Sequence, residues 1–223
     1  MNHPRRSTSR FVLLALCVAS SSVLAARTAA AQQQAASAGP DLTATIRRIE
    51  TARATLETLD AEFDQERVMG LFAQTLRAHG RLNVRRPASV RWEIVTPHPG
   101  VFTINGSTVS YSAGGSSAAA NQNQIGPLGT VLGDLAAFLG GSLTSLATRY
   151  TLTVANADHG ALVLTAQPRD PSVARSVSVV RLRFGPDLRV IERIEIEEPG
   201  GDRSTIRIIS PRVNGQPVAL SAP

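Results

Sequence analysis

The sequence predicts a mainly β protein with helices, an α+β chain built as one antiparallel meander of about ten strands. Three observations carry that expectation. Leu76, Ala78, Gly80, Leu82 and Val84 alternate with Arg77, His79, Arg81, Asn83 and Arg85, which puts the apolar side chains on one face of a strand and the charged ones on the other. Turn-forming clusters then recur: Asn105-Gly106, Asp158-His159-Gly160, Gly185-Pro186-Asp187 and Pro199-Gly200-Gly201-Asp202. Two stretches switch instead to helical spacing, one near residue 42 and one near residue 128.

Taken in order, the chain opens with features of an export signal over residues 1–31. Arg5, Arg6 and Arg10 form a basic start, Phe11 to Leu24 an apolar run, and Ala29-Ala30-Ala31 a small-residue cleavage site. A membrane anchor is the competing reading; the short uncharged run followed by small residues favours removal. Cys17, the sole cysteine, lies within that run behind Leu16, where a lipid-attachment signal needs a small residue, so it reads as part of the leader. The formal net charge of +6 falls to +2 once the four leader arginines are set aside. Every remaining base is an arginine, which keeps its charge throughout and explains the high isoelectric point. Charge therefore gives no reason to expect a nucleic-acid partner. The mature chain is expected to hold together by its core, in a cell-envelope compartment, without thiol, disulfide or lipid anchor.

Residues 32–40 form a polar, alanine-rich linker, and a single domain is expected over residues 41–223. Asp41 reads as a helix N-cap, followed by Leu42, Ile46, Ile49 and Leu56 at helical spacing to about Glu57, with Arg47, Arg48, Glu50 and Arg53 mostly on the wet side. The period then becomes two: Leu59, Ala61 and Phe63 alternate with Asp60, Glu62 and Asp64. After the Leu76–Arg85 strand, Pro87 makes a corner because it cannot donate a ladder hydrogen bond. Val90, Trp92 and Ile94 then resume the apolar face. Asn105-Gly106 predicts a hairpin between 101–104 and 108–111, and the small, polar stretch Ser112 to Gln124 reads as a mobile loop.

Leu128, Val131, Leu132, Leu135, Phe138 and Leu139 follow helical spacing, with Gly129 and Gly133 weakening the helix by about 1 kcal/mol each. A short apolar turn at 143–147 follows Gly140-Gly141. Ile125 to Ala147 is apolar enough to raise a membrane span, but Pro127, Asp134 and the glycine pair favour two short surface helices. Further strands are expected over 150–155, 161–167, 177–184, 189–197 and 203–210.

Chemistry is sparse. No nucleophile elbow, zinc-protease motif or phosphate loop is present. His79, His98 and His159 are scattered; Glu62, Asp64, Glu66, Glu195 and Glu197 read as a solvated sheet face. No enzyme, cofactor or metal site is expected.

The order of motifs resembles a known family. A short helix runs into a strand bearing Phe63-x-Gln65; then come Gly80-Arg81-Leu82, Arg86-Pro87-x-x-x-Arg91-Trp92-x-x-x-x-Pro97, and Asn105-Gly106 with a following aromatic. The pattern is similar to that of LolA, the periplasmic outer-membrane lipoprotein carrier. The resemblance implies an open, incomplete antiparallel β-barrel of about eleven strands with a helical lid. It implies a periplasmic monomer, without stable membrane insertion, that takes lipoproteins by their acyl chains from an inner-membrane release complex to an outer-membrane acceptor. It makes Arg86 the residue that latches the lid and Trp92 the family tryptophan. Val90 stands where the family has a larger apolar residue.

The apolar face itself leaves two fates open, a packed core or the lining of an apolar cavity. For the second, the expected lipid contacts are Leu82, Val84, Val90, Trp92, Ile94, Leu182, Phe184 and Ile194, beneath the lid helix of Leu128 to Leu139. Other readings are an envelope sensor or regulatory binding module of the same fold, and a carrier of another amphiphile such as a glycolipid or pigment precursor.

Overall fold

A computed structural model describes residues 40–70, 74–87, 89–106, 108–121, 127–140 and 142–221. The expected export signal and all of the expected linker but Pro40 lie outside the described residues. From Pro40 onward the chain is one compact unit.

Twelve strands form one antiparallel sheet: β1 (Thr58–Met69), β2 (Gln74–Arg85), β3 (Ser89–Thr96), β4 (Gly100–Asn105), β5 (Thr108–Ala113), β6 (Ser116–Asn121), β7 (Tyr150–Asn156), β8 (Leu162–Pro168), β9 (Val179–Phe184), β10 (Ile191–Glu197), β11 (Arg203–Val213) and the short β12 (Gln216–Pro217). Eleven follow the order β6-β5-β4-β3-β2-β1-β11-β10-β9-β8-β7, with β12 beside β11. Two hairpin meanders are thus stitched together where β1 pairs with β11, and the sheet stays open between β6 and β7. Among the described residues the α-helices are α1 (Leu42–Ala52), α2 (Pro127–Gly140), α3 (Leu143–Leu146) and α4 (Pro171–Ala174). Within the described part of the 125–147 stretch, α2 and α3, of 14 and 4 residues, are two short helices.

The strand register explains why particular residues are required. Phe63 on β1 sits directly opposite Gly80 on β2, and its ring fills the space over that glycine. A Cβ added at Gly80 would fall 2.4 Å from the Phe63 ring and 2.2 Å from the Glu93 carbonyl oxygen. The same ring stacks on Trp92 at 4.2 Å between centroids. Phe63 thereby closes a layer in which Leu82, Leu164, Leu182, Phe184 and Ile194 are all fully buried.

Several expectations need correction. The stretch from Ser112 is not a loop through its described part: β5 runs to Ala113, and β6 returns along it. Gly114 and Gly115, at φ of 57° and 84°, make the two-residue turn that joins them. Small residues had hidden a strand whose pairing, not composition, holds it; Gln122 to Gln124 lie outside the described residues. Helix α1 stops at Ala52, short of Glu57, and Arg53 turns out of helical geometry at its C-cap. Leu76, assigned to the sheltered face, is 45% exposed, because the end of β2 that carries it runs past the packed layer. A four-residue helix at 171–174, capped by Asp170 with Pro171 at its start, was not anticipated.

Candidate functional site

The inner stripe of β1 changes character halfway along. Leu59, Ala61 and Phe63 are buried, whereas Gln65 and Arg67, next on the same face, are half-buried. The neighbouring strand repeats the change: Ile208 and Ile206 give way to Ser204 on β11. Where the stripe turns polar the interior is no longer filled. A cleft of about 560 Å³ opens there, between Leu135 and Phe138 of α2 and the inner face of the sheet. Val177, Val180 and Ile196 supply more apolar wall; Gln65, Arg67, Arg175, Glu198 and Ser204 make it polar on the other side.

The residues expected to contact lipid are brought together, but below this cleft. Leu82, Val84, Val90, Leu182, Phe184 and Ile194 are at most 1% exposed and Trp92 9%. Ile94 is half-buried against the same cluster. None of the eight is among the cleft walls. In the expected lid, Phe138 and Leu139 are buried and Leu135 half-buried, while Leu128, Val131 and Leu132 lie along the same helix.

The lid helix is held at two places. At its C-terminal end Arg53 donates to the carbonyl oxygens of Phe138, at 3.1 Å, and Leu139. Those carbonyls belong to the last turn of α2, where no helical partner remains for them and where the helix dipole favours a cation. Arg53 is only 5% exposed. Burial lowers its pKa to about 10, helped by the nearby charge of Arg86 and opposed by Glu50, so it stays charged at neutral pH. Its Nε has no hydrogen-bond partner. Arg86, the expected latch, donates at 2.7 Å to the carbonyl oxygen of Arg53. Its hydrogen bond therefore goes to the C-cap of α1, while its Cγ lies close to Gly140 at the end of the lid, 3.9 Å from where a Cβ would stand.

Glu50, one turn before Arg53, caps the next helix. It accepts from the Thr144 N–H at 3.0 Å and from the Ser142 and Thr144 hydroxyls at 2.8 and 2.9 Å. Burial pushes its pKa up, but these donors outweigh it and hold the carboxyl below its ordinary value.

The second anchor is Asp134, in the middle of α2 and 3% exposed. It accepts from the Tyr150 hydroxyl at 2.6 Å and pairs with Arg149. Burial raises its pKa, although Tyr150 and Arg149 pull the other way. On the far side of this pair lies a smaller hollow of about 330 Å³, next to Arg169 and Val173.

Sequence reasoning missed Arg53, Glu50 and Asp134 as lid anchors, and missed Gln65, Arg67 and Ser204 as cleft walls. A usable signal existed only for the walls, in the break of the apolar alternation after Phe63. Among the described residues no group of three or more His, Cys, Asp and Glu gathers into a metal-binding cluster. No described helix is long and apolar enough to cross a membrane.

No curated protein matches the chain by sequence. Among solved structures, a LolA superfamily protein from Nitrosomonas europaea is similar at 10% identity and a TM-score of 0.45, covering 77% of this chain and 92% of that one. The lipoprotein LppX of Mycobacterium tuberculosis is 13% identical with a TM-score of 0.43, covering 80% and 97%. MucB of Pseudomonas aeruginosa, solved with MucA, is 16% identical with a TM-score of 0.45, covering 80% of this chain and 59% of that one. The family model described as outer membrane lipoprotein carrier protein LolA matches residues 54–219, which include every strand and the lid. The chain belongs to the LolA family.

Proposed function

We propose that the protein is a periplasmic carrier, without catalytic activity, that shelters lipoprotein acyl chains beneath α2 and passes them from the inner membrane to an outer-membrane acceptor. The observation that carries this reading is the unfilled cleft of about 560 Å³ between α2 and the sheet, with an apolar wall of Leu135, Phe138, Val177, Val180 and Ile196. Family membership supports the same task. Each methylene kept from water is worth about 0.8 kcal/mol, so a long chain cannot cross an aqueous space unescorted. With no nucleotide to drive release, delivery has to follow relative affinity. A lid that closes over the empty cleft competes with cargo and lowers the net affinity, which lets an acceptor win.

The test is extraction of lipid from protein purified out of its native envelope, followed by mass spectrometry. Acylated lipoprotein recovered in stoichiometric amount, and transfer of it to acceptor membranes, are the expected results. Protein that carries no lipid and takes up none from detergent-solubilised lipoprotein contradicts the proposal.

A further inference from the structure

The cleft has two chemically different walls, and the polar one has hydrogen-bonding capacity to spare. Gln65 and Ser204 face it from adjacent strands, and neither side chain has a hydrogen-bond partner among the described residues. Ser204 is only 5% exposed, so water reaches its hydroxyl chiefly through the cleft. Arg67 spends one nitrogen, Nη2, on both Glu198 and Asp202 at 3.0 and 2.9 Å, which leaves Nε and Nη1 uncommitted. A donor left unmatched in a half-dry site is unfavourable, so a site built only for hydrocarbon gains nothing from these groups. Opposite them stand Leu135, Phe138, Val180 and Ile196.

We infer that Gln65, Arg67 and Ser204 form a subsite for the carbonyl oxygen of an acyl ester or amide, with the attached chain running along α2 and β9–β10. This rests on the carrier reading above and names which part of the amphiphile the site recognises. The charges around the subsite argue for a neutral carbonyl over a carboxylate. Arg67, the one cation of the subsite, is already paired with both Glu198 and Asp202, which leaves it little net field to offer an anion. The volume also limits occupancy: about 560 Å³ falls within the ~300–1,000 Å³ of sites that enclose a single small ligand. The closed protein thus has room for one chain and its linkage.

Displacement of bound N-phenylnaphthylamine by methyl palmitate and by heptadecane, which differ in the ester but little in length, measures the subsite directly. Two hydrogen bonds to the carbonyl are expected to give the ester about a tenfold advantage. In Gln65→Met/Ser204→Ala that ratio is expected to fall to about threefold or less, what Arg67 alone supplies; each single variant is measured too, so that a poorly folded double variant still leaves a readout. Arg81→Glu, on the outer face, should keep the wild-type ratio. Equal affinity of the wild type for ester and hydrocarbon, or an undiminished ratio in the folded variants, overturns the subsite while leaving the carrier reading intact. Failure of the wild type to bind either compound overturns both. Competition by a diacylglyceryl-cysteine peptide and by monopalmitoylglycerol separates a protein-linked ester from a free glyceride. Displacement by either supports the subsite, and by neither contradicts it.

Discussion

The two halves of the sheet's inner face serve opposite ends. In the lower half, β1 presents Leu59, Ala61 and Phe63, and the opposing strands return Leu82, Leu182, Phe184 and Ile194 until no space is left. In the upper half β1 presents Gln65 and Arg67, β11 presents Ser204, and a hollow remains. A single change of residue class within one alternating stripe separates the part that makes the protein stable from the part free to bind. The lid spans both: Phe138 and Leu139 are buried, while Leu135 borders the hollow.

The sharpest way to break this contrast is to cut into the lower half. Phe63→Ala removes a fully buried ring that also covers Gly80, and should destabilise by about 4 kcal/mol in urea unfolding. Ile196→Ala, at the cleft wall, should cost well under half of that. Equal losses at the two positions mean that the halves are packed alike. Leu82→Glu belongs with Phe63→Ala: it is expected to prevent folding outright, not merely to block lipid uptake.

Next in size is Arg53→Met, which strips the last-turn carbonyls of α2 of their buried donor and should cost about 3 kcal/mol. Hydrogen exchange of residues 134–139 should speed up well before the β1–β2 amides do. Arg86→Leu, one step removed, is expected to do the same more weakly; a larger effect than that of Arg53→Met contradicts the order of contacts. Gly140→Ala is smaller still. Its new methyl would lie 2.8 Å from Val84 Cγ1, and about 1–2 kcal/mol of overpacking strain should appear as a looser lid over an intact sheet.

The smallest effect concerns pH. Burial raises the pKa of Asp134, so the folded state holds that proton more tightly than the unfolded chain does. Stability from this group is present below the ordinary carboxylate range and is lost as pH rises through the raised value. Asp134→Asn removes that dependence, so its stability relative to wild type should improve as pH rises across the window. A difference that is flat, or of opposite slope, in denaturation curves at several pH values excludes this assignment.

Most of the sheet was legible because alternation is a local property. Leu82, Val84, Val90 and Trp92 announce their face within a few residues, and Asn105-Gly106 announces its turn. What lay hidden depends on partners distant in sequence. Arg53 reads as a wet-side residue of an amphipathic helix, since a helical wheel records only one apolar stripe. Nothing in it tells that a second layer, residues 138–139, will settle over the other side. Glu50 was hidden for the same reason, and β6 because alanine and serine carry no pattern when cross-strand pairing does the holding. The expected cavity residues illustrate the limit from the other direction. Periodicity told which way Leu182 and Phe184 point, but not whether the room they point into would be full.

Glu50 in the last turn of α1 and Arg53 at its C-cap grip the chain on either side of the break after Gly140. That arrangement ties down the C-terminal end of α2, while Asp134 ties its middle to Tyr150 and Arg149. Once the Asp134 anchor parts, the 14 residues of α2 span roughly 21 Å, and a swing of about 20° about the Arg53 end carries the other end roughly 7 Å. Spin labels at the two ends of α2 should register that inequality when lipid enters; equal travel at both ends contradicts it. Entry would then begin at the end remote from Arg53, with the fatty chain threading inward toward the fulcrum.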